Sequence, residues 1–152
     1  MTSENSHRIE ISDQQQRPVD FEDCISVARM ILDDFGFDQS EISIALVDDP
    51  TIRDLNKQYL NHDYETDVIS FVLEESDTAL TGQLLVSTDT AEKMGQQIGV
   101  PMQHELLLYV IHGMLHLVGF DDTDPESVEK MRAAEADYLG RFGIKHHWEP
   151  SQ

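Results

Sequence analysis

Two histidines four residues apart, His112 and His116, interrupt the apolar run from Glu105 to Asp122. On a helix of 3.6 residues per turn, such a pair leaves from one face. Gly119 follows, at the distance where chains often exit a helix through a left-handed residue, and Asp121 and Asp122 arrive on the emerging loop. Two imidazoles held on a helix, with one further ligand delivered by a turn, suit a three-ligand zinc site with an open fourth position. The competing reading is a buried helix with two hydrogen-bonded histidines and a polar loop. Spacing alone leaves both open.

The residue after the first histidine narrows the chemistry. In His-Glu-x-x-His enzymes that residue is the general base. Here it is Gly113, which carries no proton. The spacing His112, His116, Gly119, Asp122 otherwise overlays the long zinc-protease pattern, with aspartate in the third ligand place. Glycine inside a helix costs about 1 kcal/mol against alanine, so a close approach of backbone or substrate, or a contact with a neighbouring strand, should compensate. Proteolysis by the usual route is not expected.

The elements that must carry these residues follow from periodicity. His7 to Ile11 alternates as a strand; Pro18 to Phe35 repeats apolar residues at helical spacing and stops at Gly36. Glu41 to Val47 alternates as a second strand, and Asp49-Pro50 opens a helix with Ile52, Leu55 and Tyr59 inward. Asp67 to Leu73 is a nearly continuous apolar run, expected as a buried strand. An acidic loop from Glu74 to Thr81 leads to a strand over Gln83 to Ser87, then a helix over Thr88 to Ile98. Pro101 begins the histidine helix, and Asp124-Pro125 opens a last amphipathic helix to Phe142. The order predicts one α+β domain over 1–152, a mixed four-stranded sheet covered by about five helices. Segments 1–6 and 144–152 are expected to be flexible ends. His7, His62, His104, His146 and His147 fall in polar or terminal stretches and carry little weight.

The chain has 152 residues, 39% of them hydrophobic, enough for one core. Its one cysteine, Cys24, lies on an apolar helix face and is expected in the core. No signal peptide or membrane span is read from the sequence, so cytoplasmic residence is the expectation. Thirty acidic residues against ten basic give a net charge of −20. Such a field opposes tight non-specific nucleic-acid binding, so any RNA contact needs a basic patch, a metal or a protein partner.

Four stretches in order, LNKQYL, TDVISF at Thr66 to Phe71, HGMLHLVGFDD at His112 to Asp122, and M-x-x-x-E at Met131 to Glu135, resemble the YbeY family. The resemblance covers about residues 40 to 143. It implies a metal-dependent, single-strand-specific endoribonuclease of bacterial rRNA maturation, a hydrolase of phosphodiester bonds acting in 16S rRNA 3′-end processing and ribosome quality control. One zinc per chain is implied, with His112, His116 and Asp122 as ligands, and rRNA and the small ribosomal subunit with its proteins as partners. Three positions depart from the family pattern. Its third histidine falls on Asp122, its arginine after the tyrosine of LNKQYL is Leu60, and the aspartate of its Gly-Asp-Ile stretch, at the start of the fourth strand, is Gln83. Aspartate binds zinc well, but a lost guanidinium removes a phosphate clamp. Arg53 and Lys57, four apart on the second helix, or His62, could compensate; solvated surface charge is the plainer role for them. Asp67 and Asp121 are candidates for proton transfer, or for holding the loop and ligands. A ribosome-assembly factor with a structural metal and weak or no catalysis is the alternative.

Overall fold

The computed structural model describes residues 6–60 and 67–146, with backbone alone at 59 and 60. Its elements are β1 (Ser6–Asp13), α1 (Glu22–Asp34), β2 (Gln39–Val47), α2 (Asp49–Leu60), β3 (Val68–Glu75), β4 (Ala79–Ser87), α3 (Thr88–Ile98), α4 (Met102–Leu117) and α5 (Pro125–Gly140). The strands form one mixed sheet in the order β1-β2-β4-β3. β1, β2 and β4 run parallel, and β3 pairs antiparallel with β4. The expected α+β fold with a four-stranded mixed sheet and five helices is the observed one.

Strand periodicity sorts the side chains onto two faces. Ile42, Ile44, Leu46, Leu84 and Val86 point into the main core with α1 and α4. Ala45, Val47, Ile69 and Leu85 point the other way and meet Ile52 and Leu55 of α2. α4 is buried along nearly its whole length, from Glu105 to Leu117, between the sheet and its neighbouring helices. Gly113 is the point of closest approach. A Cβ there would lie 2.8 Å from Leu84 and 3.0 Å from Val68, and Ser70 Oγ donates to the Gly113 carbonyl at 3.2 Å. The helical glycine is therefore explained by strand packing, and its face looks into the sheet rather than into the histidine site.

Several expectations need correction. β3 is an edge strand, not a buried one: Leu73 is 61% exposed, and only Ile69 within the strand is buried. Its apolar run reflects a strand packed on both faces at its start only, beside α4 and α2. The acidic loop shrinks to a tight turn, because β3 runs to Glu75 and β4 starts at Ala79. α2 is capped one residue early, with Asp48 accepting from the Thr51 amide at 2.9 Å. Asp49 is thereby freed to accept from Ser87 (2.6 Å) and Thr90 (2.7 Å) and to pair with Lys93 (2.7 Å), tying α2 to α3. The segment after α5 is not loose where it is described, since Ile144 packs on the core and His146 is buried. His7 is also buried, with Nε2 2.7 Å from Asp33. Cys24 lies in the core as expected. His62, Thr66 and His147 lie outside the described residues.

Candidate metal centre

The site is assembled by the end of α4 and the turn that follows. Gly119 takes φ +112°, its amide donates to His116 O at 3.1 Å, and the Phe120 amide donates to Leu115 O at 2.9 Å. This pair of bonds is the Schellman termination, which satisfies orphan carbonyls and reverses the chain. Phe120 then packs edge-on against Phe35 with ring centroids 5.5 Å apart. Asp121 holds the next bend, accepting from the Asp122 amide (2.7 Å) and the Thr123 hydroxyl (2.9 Å). Asp124 caps α5 by accepting from the Ser127 amide at 2.8 Å. The result is that Asp122 is carried back over the histidine face.

His112 Nε2, His116 Nε2 and Asp122 Oδ2 form a triangle with edges of 3.1, 3.4 and 3.4 Å. Tetrahedral zinc with bonds of about 2.0–2.2 Å separates its ligands by about 3.3–3.6 Å, so small adjustments would let these three atoms hold such an ion. Two nitrogens and one carboxylate oxygen also match the chemical preference of zinc. All three side chains are partly exposed, leaving access for a fourth partner.

Behind His112 stands Glu135 of α5, whose side chain is fully buried. Its Oε2 lies 2.6 Å from His112 Nδ1, and His146 Nε2 lies 2.8 Å from its Oε1. Arg132 Nη1 donates to both oxygens, at 2.8 and 2.9 Å. Burial alone would push this carboxyl up, but hydrogen bonds from His112, His146 and Arg132 hold it at about 2. An ionised carboxylate only accepts, so Nδ1 of His112 is the donor to Glu135, which in the neutral ring leaves the Nε2 lone pair for the triangle. The sequence reading included Glu135 only as part of M-x-x-x-E and placed His146 in a solvated tail; neither was given a role.

A cleft of about 570 Å³ opens beside the triangle, lined among others by Asp67, Val68, Met94, Leu108 and Tyr109. Asp67 of the two proton-transfer candidates lines it, while Asp121 is exposed and spent on the bend. Arg53 and Lys57 lie on the exposed side of α2 and are not among the described residues lining the cleft. Gln83 shares strand parity with Leu85, on the α2 side of the sheet and away from α4, so that departure does not alter the triangle.

Fold and donor set together define a single-domain α+β protein whose His-x-x-x-His pair, closed by a carboxylate, could hold a metal ion. Residues 8–143 match the family model described as Endoribonuclease YbeY, and the chain belongs to that family. The match begins earlier than the sequence motifs suggested, taking in most of β1 and all of α1. An endoribonuclease YbeY of Salinibacter ruber is 37% identical over 135 residues, covering 84% of this chain and 86% of that protein. One from Heliobacterium modesticaldum is 36% identical over 132 residues, covering 77% and 80%. The solution structure of a Thermotoga maritima protein superposes with a TM-score of 0.59 over 90% of this chain and 91% of its own, at 24% identity, which bears on the fold alone. No described helix is long and apolar enough to cross a membrane.

Proposed function

We propose that this protein is a zinc-dependent, single-strand-specific endoribonuclease that acts in 16S rRNA 3′-end maturation and ribosome quality control, in the cytoplasm and with the small ribosomal subunit as partner. The observation that carries the reading is the His112–His116–Asp122 triangle, opening onto a cleft in a chain of the YbeY family. A bound zinc ion would supply Lewis acidity to the scissile phosphate and acidify a water. The chain's own part is orientation. Glu135 would fix the His112 tautomer and the Gly119 turn would deliver Asp122, and the position of Asp67 in the cleft lining supports it as the candidate for proton transfer.

The assembly-factor reading keeps one specific support: Leu60 stands where the family pattern has arginine, on a chain with net charge −20. Single-turnover cleavage of a defined 16S rRNA precursor separates the two. Zinc-loaded wild type should cut within single-stranded segments, and His116→Ala and chelator-treated protein should not. Equal cutting by His116→Ala would remove the site assignment. Absence of cutting by wild type even with small subunits present would leave the assembly role.

A further inference from the structure

The cleft needs a cation to receive an RNA phosphate. Beside the triangle it is lined by the carboxylates of Asp67, Glu105, Asp122 and Glu135. Among the described residues lining it, Arg132 is the one arginine or lysine. We infer that Arg132, anchored on Glu135, binds the non-bridging oxygens of the RNA phosphodiester beside the His112–His116–Asp122 site, replacing the charge that Leu60 does not supply. This rests on the RNA-cleaving reading above.

The bonding supports it. Arginine presents five N–H donors in a rigid fork. Glu135 engages only Nη1, through both of its oxygens. No described residue bonds Nη2 or Nε, and the side chain is 30% exposed where Glu135 is 0%. One edge of the guanidinium is therefore fixed to a buried carboxylate, while the side chain lines the cleft and stays partly exposed. Only Glu135 and the His112 ring separate Nη1 from the metal-facing nitrogen. A cation held in advance at that range loses little freedom when a phosphate arrives, which is the condition for electrostatic help in the transition state. The plainer role, counter-charge to Glu135, explains the Nη1 bonds but not why a partly exposed arginine lines this cleft.

The test compares zinc-loaded wild type, Arg132→Lys and Arg132→Gln, with zinc affinity from chelator competition and a labelled single-stranded RNA oligonucleotide followed by anisotropy and single-turnover cleavage. At saturating zinc, Arg132→Gln should bind the RNA about tenfold more weakly, the worth of one charged hydrogen bond. Its cleavage rate should fall about 100-fold, and its log K against log salt slope should change by about 0.7, one phosphate's share for a single strand. Arg132→Lys should recover most of the binding. Wild-type RNA affinity and rate in Arg132→Gln, or a defect that disappears once zinc saturates, would overturn the inference and leave Arg132 as the partner of Glu135. If wild type neither binds nor cuts the RNA even with small subunits present, the RNA-cleaving reading fails by itself. Inorganic phosphate, followed by phosphorus NMR, then decides for Arg132: binding lost in Arg132→Gln alone sustains its phosphate site, and equal spectra for the two proteins overturn it.

Discussion

Glu135, bonded to His112, His146 and Arg132, is the buried carboxylate behind the candidate metal centre. Glu135→Gln keeps the shape but loses the charge that fixes the His112 tautomer. Zinc affinity should fall about 10- to 100-fold, measured by chelator competition. Asp122→His should retain zinc and Asp122→Asn should lose most of it; equal affinities in both would make Asp122 an ordinary loop residue. Glu135 also makes the metal-free protein acid-sensitive. Its folded value near 2 lies below the ordinary 4.5, so the unfolded chain takes up this proton first as the pH falls. The contribution is full above about pH 4.5 and is lost toward about pH 2. The urea-midpoint gap between wild type and Glu135→Gln should close over that window; a constant gap would show that Glu135's charge adds nothing. His112, His116 and Asp122 were legible because spacing on one helix and its turn encodes them. Glu135 and His146 were not, because the sequence shows a polar helix position and a tail residue. Only tertiary docking brings them to His112, from 23 residues along the chain in the case of Glu135.

At the scale of elements, α4 is held by what it lacks. Gly113→Val would drive two methyls toward Leu84 and Val68, which already sit 2.8 and 3.0 Å from a single Cβ. Overpacking of this kind typically costs about 1–3 kcal/mol, to be read from urea unfolding. An unchanged midpoint would mean that the sheet yields freely. Gly119→Ala tests the other end, because φ +112° strains any residue with a Cβ. It should weaken zinc binding more than its stability loss suggests, since it moves Asp122 rather than the core. Cap signals placed the Asp124-Pro125 start of α5, but α1, expected from Pro18, starts only at Glu22. The status of β3 was not legible. An apolar run looks the same in a central strand and in an edge strand whose first residues alone are covered, and only the β1-β2-β4-β3 order distinguishes them. The cap of α2 was misplaced because Asp48 and Asp49 are chemically equal, and it is Ser87, Thr90 and Lys93 that claim the second.

For the molecule as a whole, charge governs encounter. With a net charge of −20, long-range repulsion opposes a polyanion at low ionic strength. Raising salt from low to moderate should therefore speed association with single-stranded RNA, contrary to a basic binder, as stopped-flow anisotropy would show. A monotonic fall in rate would mean that a local positive patch already dominates. The Gly119 reversal has a further consequence, for folding rather than for geometry. All three candidate metal donors lie between residues 112 and 122, joined by one helical turn and one bend. A site of such short sequence separation can form without the sheet, so if these donors take zinc, an unfolded chain carrying this segment should also bind it, as a peptide of residues 105–124 would show by zinc titration. Binding to the unfolded state subtracts from the stabilisation that a ligand gives the native one. Zinc should thus raise the melting temperature by less than its native affinity implies, while marking this helix end as an early point of order.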